Sequence, residues 1–387
     1  MTEEADLLER TVAILPLLRE NAQRTEEGRR VADENIEALT DAGVFRMTVP
    51  RRHGGYESNL DTQYDVLAAI SSACPSTGWV ATILTAMLWN TGMFRDEAQD
   101  EVFADPRVRV ASVFAVGGEA RPVDGGVLVS GRWPFNTGCL HSQWAVMSAL
   151  VPGVDGGDPV PTSLLIPYSE LTILDDWHAT GLAGTGSNTT IAEEVFVPEH
   201  RMLPVASQML LTFPSERNRD AAYWRIPAAL FLISQAAGAP VGIARGALEA
   251  FMTRLPGRSI TYTDYASQAE APVTHLQVAE ATMLIDSADA HARRSFGLAE
   301  EASTRELTLE ERVRVRSHAG YATRLAREAV DILFHASGAS AIQVNIPIQR
   351  YQRDIQALSN HAFMNATTSL ELLGRIMCGL EPNTPFV

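Results

Sequence analysis

Residues 131–138 read Gly-Arg-Trp-Pro-Phe-Asn-Thr-Gly, and this stretch decides how the chain divides. A β-like run ends here in two aromatics, an amide, a hydroxyl and a glycine. Aromatic faces can wall a planar ligand. A threonine hydroxyl and a glycine amide can both donate to a ring nitrogen or carbonyl. A strand-end turn with core aromatics would look the same.

Working outward, the surrounding texture is that of strands. Val108 to Phe114 is a short β-like run, and Asp124-Gly125-Gly126 separates two stretches of hairpin type. Trp144 to Val151 and Ser163 to Pro167 are apolar runs of strand length, and Thr189 to Val197 alternates up to Pro198. The tip from Gly153 to Pro161 reads as a solvent loop. Residues 107–215 therefore form a β-domain, a small barrel or a sandwich.

Both flanks are helical. Leu7, Leu8, Val12, Leu15, Leu17 and Leu18 recur at helical spacing, and Val31, Ile36, Leu39 and Val44 continue the pattern. A loop at Pro50 to Asn59 precedes two apolar helices, Leu60 to Ala73 and Ser76 to Phe94. Beyond the strands, Ile226 to Leu255, Ala271 to Ala299, Leu309 to Ser337 and Gln356 to Leu380 read as four long helices of a bundle. Pro240 should kink the first of them. The class is α+β and mainly α: an N-terminal helical domain at 1–106, the β-domain at 107–215 and a four-helix bundle at 216–387.

Bulk properties narrow the functions. The net charge is -16, from 47 acidic and 31 basic residues, which argues against nucleic acid or membrane partners. The N-terminus, MTEEADLLER, has no signal-like apolar region, and no stretch of about 18 uncharged apolar residues is expected, so no membrane span is expected. Three scattered cysteines, Cys74, Cys139 and Cys378, suit a reducing cytoplasm. Neither CxxC nor HExxH occurs, so no metal is expected.

Two further segments carry chemistry. Gly181-Leu182-Ala183-Gly184-Thr185-Gly186-Ser187-Asn188 precedes a strand ending Val195 to Arg201. Such loops let backbone amides approach a ligand, but this one is not GxGxxG between strand and helix, so a Rossmann reading fails. An ordinary wide turn is the competing reading. Arg350-Tyr351-Gln352-Arg353-Asp354 is followed by Ser359-Asn360-His361-Ala362 at the expected start of the last helix. Histidine is the usual acid–base residue near neutrality, although a lone one is more often structural.

In this order and spacing, the three segments resemble the acyl-CoA dehydrogenase superfamily over nearly the whole chain. The resemblance implies an N-terminal helical domain, a central β-domain, taken as a barrel, and a C-terminal four-helix bundle. It also implies a homotetramer with a flavin ring between β-domain and bundle. Thr137 takes the place of the family hydroxyl near flavin N5. Arg258, in Pro-Gly-Arg-Ser-Ile-Thr, stands where the family puts an arginine on the pyrophosphate, although the usual Phe-Gly pair after it is absent. The implied cofactor contacts are Trp133, Phe135, Asn136, Thr137, Gly138, Thr185, Gly186, Ser187, Arg258 and Asp354.

The chain departs from the dehydrogenases at their catalytic glutamate, since Ile355 to Leu370 contains no carboxylate. His361 stands in that region instead. With Phe135-Asn136-Thr137-Gly138-Cys139 and the GTGS run of Gly184 to Ser187, this is similar to the flavin-dependent monooxygenase branch. Those enzymes take reduced flavin from a separate reductase and bind oxygen at C4a as a hydroperoxide. They hydroxylate an aromatic ring, a sulfur or an amine. The resemblance implies molecular oxygen and a small indole- or phenol-like substrate of natural-product type. Reduced FAD serves as co-substrate, favoured by Arg258, with FMN as the alternative. Thr137 would partner N5. His361 would deprotonate the substrate or protonate the distal peroxide oxygen. Trp79, Trp89, Cys139 and His141 are the expected pocket residues. The competing readings are an acyl-CoA dehydrogenase with a displaced base, an amino-sugar N-oxygenase and a catalytically silent flavin-binding scaffold.

Overall fold

A computed structural model describes residues 6–153 and 157–387; residues 1–5 and 154–156, the latter in the expected loop at 153–161, lie outside it. Six helices come first: α1 (Leu7–Glu20), α2 (Ala22–Glu27), α3 (Asp33–Ala42), α4 (Leu60–Ala73), α5 (Pro75–Thr91) and α6 (Asp96–Val102). The Asn59 side chain caps α4 by accepting from Thr62 N at 2.8 Å. Pro75 opens α5, whose residues are all buried except Ile83. A helix apolar on every side sits inside the molecule.

The strands are β1 (Val110–Val123), β2 (Gly126–Trp133), β3 (Trp144–Val151), β4 (Val160–Pro167), β5 (Thr172–Ile173), β6 (Thr190–Pro198) and β7 (Met202–Pro204). They form one sheet in the order β5-β6-β2-β1-β3-β4-β7. β1 and β2 are the expected hairpin, pairing Val123 with Gly126 around Gly125 at φ +76°. β1 and β3 run parallel; the other pairs are antiparallel. Among the described residues no ladder joins β5 to β7, so hydrogen bonding does not close the expected barrel.

The last segment holds α7 (Val205–Met209), α8 (Ala228–Ala236), α9 (Gly238–Arg254), α10 (Pro272–Glu301), α11 (Leu309–Ala336), α12 (Pro347–Leu358) and α13 (Ala366–Met377). The break between α8 and α9 falls just before Pro240, whose ring cannot share space with the carbonyl four residues earlier. The expected helix from Gln356 to Leu380 is not continuous: α12 ends at Leu358 and α13 starts at Ala366. Ser359 Oγ and Asn360 Nδ2 both donate to Gln356 O, and Asn365 caps the new helix by accepting from Thr368 N at 3.2 Å. Local side chains thus take over the backbone groups of the broken turn. Residues 226–244 are in fact free of charge, but they are buried as core helices.

The three segments pack around two cores. One runs from Leu7 through the N-terminal helices to Met364, and the other lies on the sheet around Trp133, Met147 and Ile166. α4 and α9 join the first and last segments at close range. A Cβ on Gly242 or Gly246 would sit 2.2 Å from the carbonyl oxygen of Ala68 or Ser72.

Candidate functional site

The turn after β2 delivers Phe135, Asn136 and Thr137. Phe135 has φ +62°, a left-handed backbone that a bulky residue rarely adopts, and its side chain is 70% exposed. Its ring meets Trp177 edge-on at 5.7 Å. An aromatic held outward on a strained backbone makes Phe135 a candidate functional residue. Thr137 follows, almost buried, with its Oγ1 2.8 Å from Ser187 Oγ. Gly138, at φ +83°, turns the chain so close to α5 that a Cβ would lie 2.7 Å from a Leu84 methyl.

The glycine-rich loop lies beside this turn. Ser187 Oγ is also 2.8 Å from Thr185 Oγ1, and Thr185 donates to Leu182 O at 2.8 Å. Phe135, Thr137, Gly138, Thr185, Gly186 and Ser187 are thereby brought together as expected. Both helical segments clamp the loop. Asp354 accepts from Leu182 N at 2.5 Å, and Arg353 donates to Thr180 O at 2.7 Å. Arg29 donates to Trp177 O, and Glu26 pairs with Arg350 at 3.1 Å and with Arg353. Burial lifts the Asp354 carboxyl to about 7, and its second oxygen has no protein partner.

His361 lies in the link between α12 and α13, not on the last helix. Its ring packs edge-on against Trp79 at 5.0 Å and Phe363 at 5.7 Å. Phe363 N donates to its Nδ1 at 3.3 Å, which leaves the proton of the neutral ring on Nε2. Crowding by these neighbours lowers its pKa to about 4, so it is neutral near pH 7. Trp79 and Leu84 both belong to α5, five residues or about 7.5 Å apart along the axis. One rigid helix therefore carries the Thr137 turn and the His361 contact.

Several expected site residues have other employment. Trp133 is fully buried in the sheet core, its Nε1 donating to Ser148 O at 2.8 Å, and its ring fills the space left by Gly117, Gly118 and Gly131. Trp89 is stacked between Phe231 at 3.8 Å and Trp224 at 5.6 Å in the helical core. Neither offers a face to a ligand. The Asn136 amide turns inward, donating to Tyr168 Oη and Thr190 Oγ1, both at 2.8 Å. Cys139 is buried against Gly186 O and its thiol is pushed up to about 12 by burial. His141 is buried in the short turn that follows Gly138, 3.7 Å from Asp33, its pKa held down to about 4 by burial. Asp354 braces the loop from behind. Arg258 donates to Ser337 O at 2.7 Å, at the end of α11.

The sequence reading missed Leu84, Trp177, Asn188 and Glu26. Asn188 Oδ1 accepts from both Asp176 N and Trp177 N at 3.0 Å, which ties residues 175–177 to the loop. An asparagine at the foot of a strand was the available signal. A cavity of about 480 Å³ elsewhere, lined by Leu210, Arg225, Leu230, Arg305, Leu307 and Arg312 among others, shares no residue with this site.

The donor set suits a flavin ring. It offers an exposed aromatic, a hydroxyl at the lip of a glycine turn, and a neutral imidazole packed against the same supporting helix. Comparison with known proteins adds to this. Residues 234–366 match the family described as acyl-CoA dehydrogenase, C-terminal domain. The chain is 36% identical over 362 residues to the flavin-dependent monooxygenase, oxygenase subunit HsaA, of Rhodococcus jostii, covering 92% of this chain and 94% of that protein. It is 34% identical over 388 residues to the oxygenase component of the FADH(2)-dependent resorcinol hydroxylase of a Rhizobium species, covering 97% and 95%. Among solved structures, XiaF from a Streptomyces species, in complex with FADH2 and glycerol, superposes with a TM-score of 0.90 at 31% identity, covering 99% and 97%.

Proposed function

The chain belongs to the acyl-CoA dehydrogenase-like oxygenase components of flavin-dependent monooxygenases, and from that premise we propose that it hydroxylates a small phenol- or indole-like compound. The observation that carries the reading is that the turn holding Thr137 packs on α5 through Gly138 while His361 packs on the same helix through Trp79, with no carboxylate between Ile355 and Leu370 to abstract a proton from a thioester. A reduced flavin delivered by a separate reductase would supply two electrons for the activation of molecular oxygen, of which one atom would go to the substrate ring and the other to water.

The residues have distinct tasks. Thr137 would hold the flavin at its N5 edge, and the exposed Phe135 would cover the ring system. His361, neutral with its proton on Nε2, donates a hydrogen bond to the substrate or to the oxygen being transferred. This tautomer favours the donor role over the base. Trp79 and Phe363 keep the histidine fixed and the pocket dry. We favour FAD over FMN because Arg258 spends one guanidinium nitrogen on Ser337 O and keeps its other donors for a pyrophosphate. The exposed Leu276, Met283, Ile342, Val344 and Met377 of the bundle are apolar surface that a homotetramer would cover. The free thiols of Cys74, Cys139 and Cys378 fit the cytoplasm.

The test is an assay with a flavin reductase, NADH, FAD or FMN, and oxygen against phenols, indoles and amines. A mass gain of one oxygen on a phenol or indole supports the reading. Reduction of bound flavin by an acyl-CoA thioester, without oxygen insertion, would replace it with a dehydrogenase.

A further inference from the structure

Thr137, Ser187 and Thr185 form a line of three hydroxyls, each 2.8 Å from the next, ending 2.8 Å from Leu182 O. Each hydroxyl has one proton to give. A carbonyl oxygen only accepts, so the end of the line sets its direction. If Thr185 pointed its proton at Ser187, its lone pair would face Leu182 O at 2.8 Å with nothing between them. Thr185 therefore donates to Leu182 O, Ser187 donates to Thr185, and Thr137 donates to Ser187. Leu182 O also accepts from Thr185 N at 3.1 Å and Trp177 Nε1 at 3.2 Å, and Asp354 holds Leu182 N. The acceptor at the end of the line is thus fixed in place. Thr185 and Ser187 are buried, so solvent does not readily reset the chain, and aligned hydrogen bonds reinforce one another.

We infer that Ser187 and Thr185 are positioning residues that turn the Thr137 proton inward, so that the site presents a hydrogen-bond acceptor and selects the reduced form of the flavin over the oxidised form. The inference rests on the reading that Thr137 meets the flavin N5 edge. Reduced flavin carries a hydrogen on N5 and can donate to Thr137. Oxidised flavin has only a lone pair there and meets the lone pairs of Thr137. The same device releases the spent cofactor, because the oxidised ring loses this bond when turnover is complete. One hydrogen bond gained or lost in a buried site corresponds to roughly a tenfold change in affinity.

The experiment is anaerobic titration of the purified protein with reduced and oxidised FAD, and with reduced and oxidised FMN, giving the ratio of the two dissociation constants for each flavin. Thr185→Val keeps the side-chain shape but frees the Ser187 proton, and Ser187→Ala frees that of Thr137. Each is expected to lower the preference for reduced flavin roughly tenfold, chiefly by tightening the oxidised form. Thr185→Ser keeps the terminal donor and should keep the wild-type ratio. An unchanged ratio in Thr185→Val and in Ser187→Ala, with native circular dichroism, overturns the inference and leaves the flavin reading standing. Failure of the wild-type protein to bind either flavin in either redox state sinks both. If one variant does not fold, the other decides.

Discussion

Trp79 and His361 meet edge to face with ring centroids 5.0 Å apart, joining a central helix of the N-terminal segment to a link near the end of the bundle. With Phe363 N on its Nδ1, the imidazole can offer only an Nε2 proton outward. His361→Gln, which retains an amide donor, should therefore keep a measurable part of the hydroxylation rate. His361→Ala should lose on the order of a hundredfold in kcat, with flavin affinity retained. Equal loss in both variants would indicate a base instead. The acid limb of the wild-type rate should also not appear near 6.5, because the ring stays neutral down to about 4.

Phe135 and Trp133, two residues apart, should respond in opposite ways. Phe135→Gly relieves a positive φ and removes an exposed side chain, so thermal stability should rise by about 1 kcal/mol while flavin binding weakens. Trp133→Phe leaves Ser148 O without its donor and a void over three glycines, at a cost of roughly 2–4 kcal/mol. Flavin affinity of the folded Trp133 variant should be unchanged. A flavin defect in Trp133→Phe at a temperature where it is fully folded would return that ring to the site.

Stability should fall on acidification. His141 is neutral in the fold down to about 4, whereas in the unfolded chain it protonates near 6.5. The unfolded state therefore binds more protons in this window, and stability present above 6.5 is lost as pH falls toward 4. For this enclosed group the loss reaches up to about 2 kcal/mol by pH 5. Urea titrations at pH 7.5 and 5 should show a smaller drop for His141→Gln than for wild type.

Asp354 should act with the opposite sign. Its folded pKa is raised to about 7 by burial, so the fold favours the protonated carboxyl, and ionisation works against folding as pH rises from about 4 to 7. Asp354→Asn keeps an acceptor for Leu182 N and cannot ionise. Its stability relative to wild type should improve between pH 4 and pH 8 in urea titrations. Asp354→Ala removes the acceptor and should cost about 1–3 kcal/mol at either pH.

Much of the scaffold was legible in the sequence, because periodicity and breakers act locally. α4 and β3 fall where apolar spacing put them, and Gly125 turns the hairpin. The break at residues 359–365 was missed because no proline or glycine marks it. Its signal was the cluster of Ser359, Asn360 and Asn365, whose side chains compete for backbone groups. The site was half legible. Hydrophobicity says that Trp133, Trp89 and Trp79 are buried, but only packing says that two face cores and one faces His361. The hydroxyl line was visible as residue types, whereas its direction depends on Leu182 O.

The contact between Leu182 and Asp354 spans 172 positions of chain. Ribosomes add roughly 5–20 residues per second, so the loop emerges on the order of ten seconds or more before its anchor exists. Glu26 waits longer still for Arg350 and Arg353. The sheet can form early, but the hydroxyl line cannot take its final polarity until α12 leaves the ribosome. The candidate site is thus completed late in synthesis, and a chain truncated before α12 would carry the loop without its brace.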